Sequence, residues 1–243
     1  MKWSLCAAAL LTALLCAGCG DAPLPETDAP VPEDPAEAAP SQPAPQPPAL
    51  PEGDNVLLSL EAEVDGGMVL RLDAIGKQDS ENELWGVREV QVYHGDTLVQ
   101  TLSLQEAMEA DGTDGIAPGY TACWDPEQVM QTVDMDFDGS EDLALFGWTP
   151  NNTIPYYYWL WDGELRQYRY AFTLQGAEAD PETETILSQY KYANGINYTD
   201  HYRYREDGSL ELFRREVENW VQDPPLTEVY VLQDGQLLLE DPS

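Results

Sequence analysis

The chain has 243 residues, of which 45 are acidic and 11 basic, so its formal net charge is −34. A charge of this size argues against nucleic acid or an anionic membrane surface as a partner, because both would repel the chain. Cations and cationic proteins would be attracted, although an acidic surface also serves simply to keep a protein soluble.

An apolar stretch near the amino terminus predicts a secretory signal peptide. Lys2 is the only charged residue among the first twenty, and an uncharged apolar run follows over residues 5–17. As a helix this run would be about 20 Å long, which is short of the ~30 Å hydrocarbon core of a bilayer. One positive charge followed by a short apolar segment is typical of a signal peptide.

The end of this segment, Cys16-Ala17-Gly18-Cys19, resembles the lipobox of bacterial lipoproteins. In that family the cysteine after a pair of small residues is diacylated and becomes the first residue of the mature chain. The resemblance implies a signal peptide over residues 1–18 and a palmitate-type membrane anchor on Cys19. It places the protein in the cell envelope, on the extracytoplasmic side of a bacterial membrane. An ordinary cleaved secretory signal is the alternative.

The lipobox leaves one free thiol in the mature chain. Cys6 and Cys16 would leave with the signal peptide, and Cys19 would carry lipid, so only Cys123 remains. One thiol cannot form an internal disulfide, so the domain must be held together by its core, to which a bound metal could add.

Residues 19–54 are predicted to be the lipid anchor followed by a disordered linker. Eleven prolines lie between residues 20 and 54, and this stretch has no aromatic residue, lysine or arginine. Such a composition cannot bury enough apolar surface to fold, and its prolines favour extended polyproline II structure. At about 3.1 Å per residue the linker would reach on the order of 100 Å from the membrane.

From residue 55 to residue 243 the sequence predicts one all-β domain built as an antiparallel hairpin meander. The only helix expected is short, over Leu104–Ala110. Regular hairpins of this kind form either a propeller-like array or two stacked sheets, and the pattern leaves both open. Apolar-rich segments flank six glycine turns of the hairpin type, at Asp65-Gly66-Gly67, His94-Gly95-Asp96, Asp162-Gly163, Asn194-Gly195, Asp207-Gly208 and Asp234-Gly235.

The aromatic run Tyr156–Trp161 predicts a central strand. On a strand, alternate side chains point to opposite faces, and here both faces are apolar. A strand covered on both sides has this pattern, whereas a sugar-binding platform needs aromatic rings on one exposed face only. The run is therefore expected to lie in the core.

A group of tyrosines further along the chain is a candidate surface for a partner. A two-residue turn at Asn194-Gly195 would pair Tyr198 with Lys191. Four residues further on, Tyr202 would pair with Leu187. Three tyrosines would then share one face of the strand and could contact a partner: Tyr198, Tyr202 and Tyr204.

The sequence DMDFDGSED, residues 134–142, predicts a metal site. Four carboxylates within one loop repel each other strongly unless a cation lies among them. Oxygen ligands suit a hard ion, and calcium tolerates irregular geometry that magnesium does not. The spacing fits the first nine positions of a calcium loop, with Gly139 at the sharp turn, but Leu145 stands where an EF-hand has its bidentate glutamate. The alternative is an acidic turn without a metal.

The pattern D-x-D-x-D-G-x-x-D-L, followed by a strand, resembles the loops of FG-GAP/VCBS-type repeats in extracellular β-propellers. The segments YYYWLWD, QYRYAFTL and DPETETI extend the likeness, over roughly residues 129–220, to small bacterial envelope proteins of this class. Some of those proteins inhibit peptidoglycan-cleaving enzymes. The resemblance implies one calcium ion, bound by the main chain of Ser140 and by four carboxylates, those of Asp134, Asp136, Asp138 and Asp142.

The sequence favours a non-enzymatic binding module over an enzyme. It has only two histidines and no G-x-S-x-G, H-E-x-x-H or phosphate-binding glycine motif. The acidic charge and the resemblance together suggest an inhibitor of a cationic cell-wall hydrolase, and the loop over residues 149–155 would contact it through Asn151 and Asn152. The alternatives are a purely structural envelope lipoprotein and a glycan-active hydrolase, whose carboxylate pair could lie anywhere among so many acids.

The lipid anchor gives the first testable prediction. Replacing Cys19 with alanine removes the thiol that the lipobox resemblance assigns to acylation. We expect Cys19→Ala to abolish labelling of the protein by a fatty-acid probe, and either to release the protein from the membrane or to leave its signal peptide uncleaved. Labelling that survives this substitution would show that the lipobox interpretation is wrong.

Overall fold

Antiparallel hairpins make up most of the fold. The computed structural model describes residues 49–50, 52–79, 81, 83–112, 123–147 and 154–240, so the signal peptide, Cys19 and most of the linker lie outside the described residues. Within this part every hydrogen-bonded strand pair is antiparallel and joins strands that are neighbours in sequence. The predicted all-β meander is confirmed.

The first sheet contains four strands in chain order and is followed by the only α-helix of the described residues. The helix begins after Ser103, whose Oγ accepts a hydrogen bond from the Glu106 amide, and it ends at Gly112 with a left-handed φ of 72°. The expected short helix is confirmed. These elements are β1 (Asn55–Val64), β2 (Met68–Asp79), β3 (Leu84–His94), β4 (Thr97–Ser103) and α1 (Leu104–Asp111).

The middle and third sheets also follow chain order, and a 3₁₀ turn over Pro126–Gln128 precedes them. Each of the six predicted glycine turns joins two paired strands. The middle sheet contains β5 (Met130–Val133), β6 (Asp142–Phe146), β7 (Pro155–Asp162) and β8 (Gln167–Gln175). The third contains β9 (Ala177–Asp180), β10 (Thr185–Ala193), β11 (Ile196–Tyr204), β12 (Leu210–Asn219), β13 (Leu226–Gln233) and β14 (Gln236–Leu239).

The middle sheet is covered on both faces. A first core cluster joins the first sheet and α1 to one face of the middle sheet and includes Tyr157, Trp159 and Trp161. A second cluster joins the opposite face to the third sheet and includes Tyr158 and Ile186. The predicted central strand is therefore confirmed, because β7 pairs with strands on both sides and alternates between two cores. The described residues form three antiparallel sheets in chain order, and these do not close into a barrel.

The predicted register of the β10–β11 hairpin is wrong by one residue. Tyr198 pairs with Tyr190 instead of Lys191, and Tyr202 pairs with Ile186 instead of Leu187. The physical reason is a β-bulge before Ala193, which inserts one extra residue into β10 next to the turn. A bulge leaves no clear mark in the alternation of side chains.

Asp54, the last residue assigned to the linker, already contacts the first sheet. The Asp54 carboxylate pairs with the Arg88 guanidinium of β3, at 2.9 Å from Nη2 and 3.0 Å from Nε. In the part of the chain that the structure describes, no helix has the length and apolar character needed to cross a membrane.

Candidate metal centre

The loop between β5 and β6 gathers three of the four predicted aspartate ligands. Carboxylate oxygens of Asp134, Asp136 and Asp138 lie within 4.8 Å of one another. The chain turns sharply between them, with left-handed φ values of 63° at Phe137 and 86° at Gly139. Phe137 is held in this strained conformation by packing against the second core cluster. Three alternate side chains of the loop thus converge.

Backbone amides of the loop orient all three carboxylates. The Gly139 amide donates to Asp134 Oδ2 at 3.0 Å, and the Asp138 amide donates to Asp136 Oδ1 at 3.4 Å. The Ser140 amide donates to Asp138 Oδ1 at 2.7 Å. Each carboxylate therefore has one oxygen engaged by the loop itself and a second oxygen that can face an ion.

These residues fit a bound cation. Oδ1 of Asp134 is enclosed and has no hydrogen-bond partner among the described residues, which is costly for a buried polar atom. Burial raises the pKa of the Asp136 carboxyl to about 6, and the charges of Asp138 and Asp134 contribute to this rise. A cation at the point of convergence would pair with the enclosed oxygen and offset the repulsion among the carboxylates.

Asp142, the fourth predicted ligand, lies apart from this group. Its carboxylate is completely buried, and its oxygens accept hydrogen bonds from the amides of Met135 and Trp161, each at 2.8 Å. Burial raises the pKa of Asp142 to about 8 despite these bonds, and the neighbouring charge of Asp136 adds to the effect. In this structure Asp142 fastens the start of the loop to the middle sheet.

The end of the loop is attached to the first sheet. Glu141 and Glu63 are joined by two hydrogen bonds, since the Glu141 amide donates to Glu63 O at 2.9 Å and the Glu63 amide donates to the side-chain oxygen Glu141 Oε2 at 2.6 Å. Oγ1 of Thr132 donates to Glu141 Oε1 at 3.1 Å. Ser140, the predicted main-chain ligand, is buried, and its Oγ accepts from the Asp65 amide at 3.4 Å. The Glu141 carboxylate is thus directed to β1 and β5.

The opposite side of the loop borders the third sheet. Two grooves, of about 850 and 460 Å³, open at this boundary, and Asp136 and Tyr204 line both of them. The larger groove continues along the aromatic side chains Trp161, Tyr170 and Phe172. The candidate metal site is therefore at the junction of all three sheets, and the Asp136 side lines open grooves.

The predicted partner-contact residues differ in their surroundings. Asn151 and Asn152 lie outside the described residues. Tyr202 and Tyr204 pack against the second core cluster, so they lie largely inside the protein. Tyr198 stacks on the exposed ring of Tyr192, with centroids 4.6 Å apart.

A buried ion pair beside these tyrosines had no clear signal in the sequence. Asp200 is completely buried, and its two oxygens accept from Arg215 Nε at 2.5 Å and Nη2 at 2.6 Å. Tyr190 and Tyr202 also donate to the Asp200 carboxylate, at 3.0 and 3.3 Å. Asp200 and Arg215 are 15 residues apart and meet only because β11 pairs with β12.

Comparison with known proteins supports the fold alone. The chain is similar to a solved structure described as a Xanthomonas type IV secretion system related protein, with a TM-score of 0.52 and 16% sequence identity. The match covers 76% of this chain and 93% of that protein. No protein-family model matches the chain, and a search of characterised proteins finds no match.

The buried carboxyls of the loop predict how stability depends on pH when no metal is present. The folded-state pKa of Asp142 is about 8 and that of Asp136 is about 6, above the value of about 3.9 for an unfolded aspartate. Between about pH 4 and pH 8 the folded chain therefore binds more protons, and the free energy of unfolding should fall as pH rises. Denaturant unfolding in chelator at several pH values would measure this trend.

Calcium should weaken or reverse the trend, because the ion and protons compete for the same carboxylates. Asp136→Asn should reduce the pH dependence between about pH 4 and pH 6 in chelator, since it removes a group whose pKa is raised from about 3.9 to about 6. Asp96→Asn is the matched control, because Asp96 is exposed in the turn between β3 and β4. Metal-free stability that increases with pH across this window would contradict the prediction.

Proposed function

We propose that this protein is a calcium-stabilised β module of the cell envelope, anchored by lipid on Cys19, which acts by binding a partner and not by catalysis. The observation that carries the proposal is the convergence of the Asp134, Asp136 and Asp138 carboxylates within 4.8 Å, together with an enclosed Asp134 oxygen that has no hydrogen-bond partner among the described residues. A bound calcium ion would supply charge neutralisation at this point and hold the loop in one conformation.

Calcium fits these residues better than other common ions. All the side chains that converge offer oxygen, which suits calcium and magnesium and not the softer metals that prefer thiolate or imidazole. The carboxylates are arranged by a tight irregular loop, and calcium accepts irregular coordination whereas magnesium requires a near-ideal octahedron. Calcium is therefore the ion we assign.

The distribution of charge supports a cationic partner. The chain has eight arginines, and each of them pairs with a carboxylate in the structure. The many remaining acids therefore have few basic residues to neutralise them, and the surface presents a negative field that attracts cations. A basic cell-wall hydrolase is the partner we propose, with inhibition as the consequence of binding.

The metal assignment predicts that calcium stabilises the folded protein. Because the unfolded chain lacks the site, calcium at a hundredfold excess over its Kd should add about 2.7 kcal/mol, or roughly 5–10 °C in melting temperature for a domain of this size. We expect a chelator to lower the melting temperature of the purified full chain, and millimolar calcium to restore it better than magnesium. Asp138→Ala should weaken the response, and Asp138→Asn should have an intermediate effect.

Glu141→Gln is the matched control within the same loop. The Glu141 carboxylate bonds to the Glu63 amide and the Thr132 hydroxyl, and a glutamine can keep both bonds, because a hydroxyl can accept as well as donate. The substitution removes one negative charge but no metal ligand. If chelator leaves the wild-type melt unchanged, or if Glu141→Gln behaves like Asp138→Ala, the loop is only an acidic turn.

The partner assignment is tested by inhibition of a basic hydrolase. Lysozyme can serve as the probe, and we expect the full chain to reduce its activity on cell walls at physiological ionic strength. Weak attraction between opposite charges is screened over about 8 Å under these conditions, so binding that depends only on charge would be lost. Inhibition that persists would support a specific binding module.

A loss of all inhibition at physiological salt, with probes from several hydrolase classes, would favour a structural lipoprotein over an inhibitor. Affinity capture from envelope extracts, with calcium or with chelator, gives an independent comparison. If the ion holds the binding surface in one conformation, a specific partner should be recovered with calcium and lost with chelator. Hydrolysis of glycan by the purified chain would instead show that the non-enzymatic assignment is wrong.

A further inference from the structure

The hydroxyl of Tyr204, in the third sheet, is enclosed in a way that the fold alone does not explain. Tyr204 is the last residue of β11, and its ring packs in the second core cluster beside Phe137 of the acidic loop. Its hydroxyl oxygen is fully enclosed and has no hydrogen-bond partner among the described residues. Tyr202, two residues earlier on the same strand, donates to Asp200. An enclosed hydroxyl without a partner is unfavourable.

Tyr204 borders the acidic loop. Tyr204 and Asp136 both line two grooves, and the smaller groove is also lined by Phe137 of the loop. Burial raises the pKa of the Tyr204 phenol, and negative charges nearby raise it further, namely those of Asp136, Asp142 and Asp134. Among the described residues, one polar atom without a partner, Oδ1 of Asp134, thus lies in the acidic loop, and a second, the Tyr204 hydroxyl, belongs to a strand of the third sheet that borders it.

We propose that Tyr204 is a positioning residue of the metal centre, whose hydroxyl donates a hydrogen bond to the oxygen ligands of the bound ion. This inference rests on the proposed calcium site. Metal ligands are commonly held by hydrogen bonds from groups behind them, and loss of such a bond lowers metal affinity. Because Tyr204 belongs to the third sheet, the same bond fastens that sheet to the loop of the middle sheet when calcium is present.

The test compares Tyr204→Phe with Tyr202→Phe in the purified full chain. Both changes remove one hydroxyl and keep the ring, on the same strand and in the same core cluster. Calorimetric titration with calcium should give a Kd that is about 3- to 10-fold weaker for Tyr204→Phe, as expected for the loss of one hydrogen bond. Tyr202→Phe should bind calcium with a Kd within about twofold of wild type, because its hydroxyl bonds to Asp200.

Melting in chelator gives a second readout that a plain packing role would not produce. Tyr204→Phe should melt at or above the wild-type temperature without metal, because it deletes an enclosed hydroxyl that has no partner. Tyr202→Phe should melt below wild type, because it removes a bond to a buried carboxylate. With saturating calcium, Tyr204→Phe should lose its advantage.

The outcomes distinguish the role of Tyr204 from the calcium site on which it rests. If the wild-type chain does not bind calcium, both fail. If the wild type binds and both tyrosine variants bind equally well, the role of Tyr204 is refuted and the calcium site stands. The role of Tyr204 is also refuted if, in chelator, Tyr204→Phe melts as far below wild type as Tyr202→Phe does. The Tyr204 hydroxyl would then have a hydrogen-bond partner in the absence of the ion.

Discussion

The buried carboxylate of Asp142 holds the acidic loop to the rest of the molecule. It is the first residue of β6, and it accepts amide hydrogen bonds from Met135 in the loop and from Trp161 in β7. One side chain therefore closes the loop and attaches it to the central strand of the middle sheet. The three aspartates that converge in the loop depend on this closure. A charge enclosed to this degree is costly by itself, and a cation nearby reduces that cost.

All three sheets meet at this loop. Glu141 bonds to Glu63 in the first sheet, the loop residue Phe137 packs in the core shared with the third sheet, and Tyr204 approaches from β11. The loop is only nine residues long in the sequence, but a change in its conformation acts on contacts between all the layers. An ion bound here would therefore affect more than the strands that flank it, since packed layers move together.

Features that depend on nearby residues could be predicted from the sequence, and features that depend on distant ones could not. The six hairpin turns, the short helix and the doubly covered strand β7 follow from local glycines and from side-chain alternation. The bulge near Ala193 shifts the register of Tyr198 without changing composition. Glu63 and Glu141 are 78 residues apart, and the sequence does not indicate that these two acids meet. The burial of Asp142 could not be predicted for the same reason, because it depends on β7, which lies further along the chain.

The order of the strands has a consequence for how the chain acquires its structure. Each strand pairs only with its neighbours in sequence, and each sheet is complete before the next begins. Ladders of this kind close short loops only, so their formation costs little chain entropy and proceeds fast for a β protein. The sheets can therefore form one after another as the polypeptide emerges from a ribosome or a translocation channel. The acidic loop, at the start of the middle sheet, would receive its last contacts when β11 arrives.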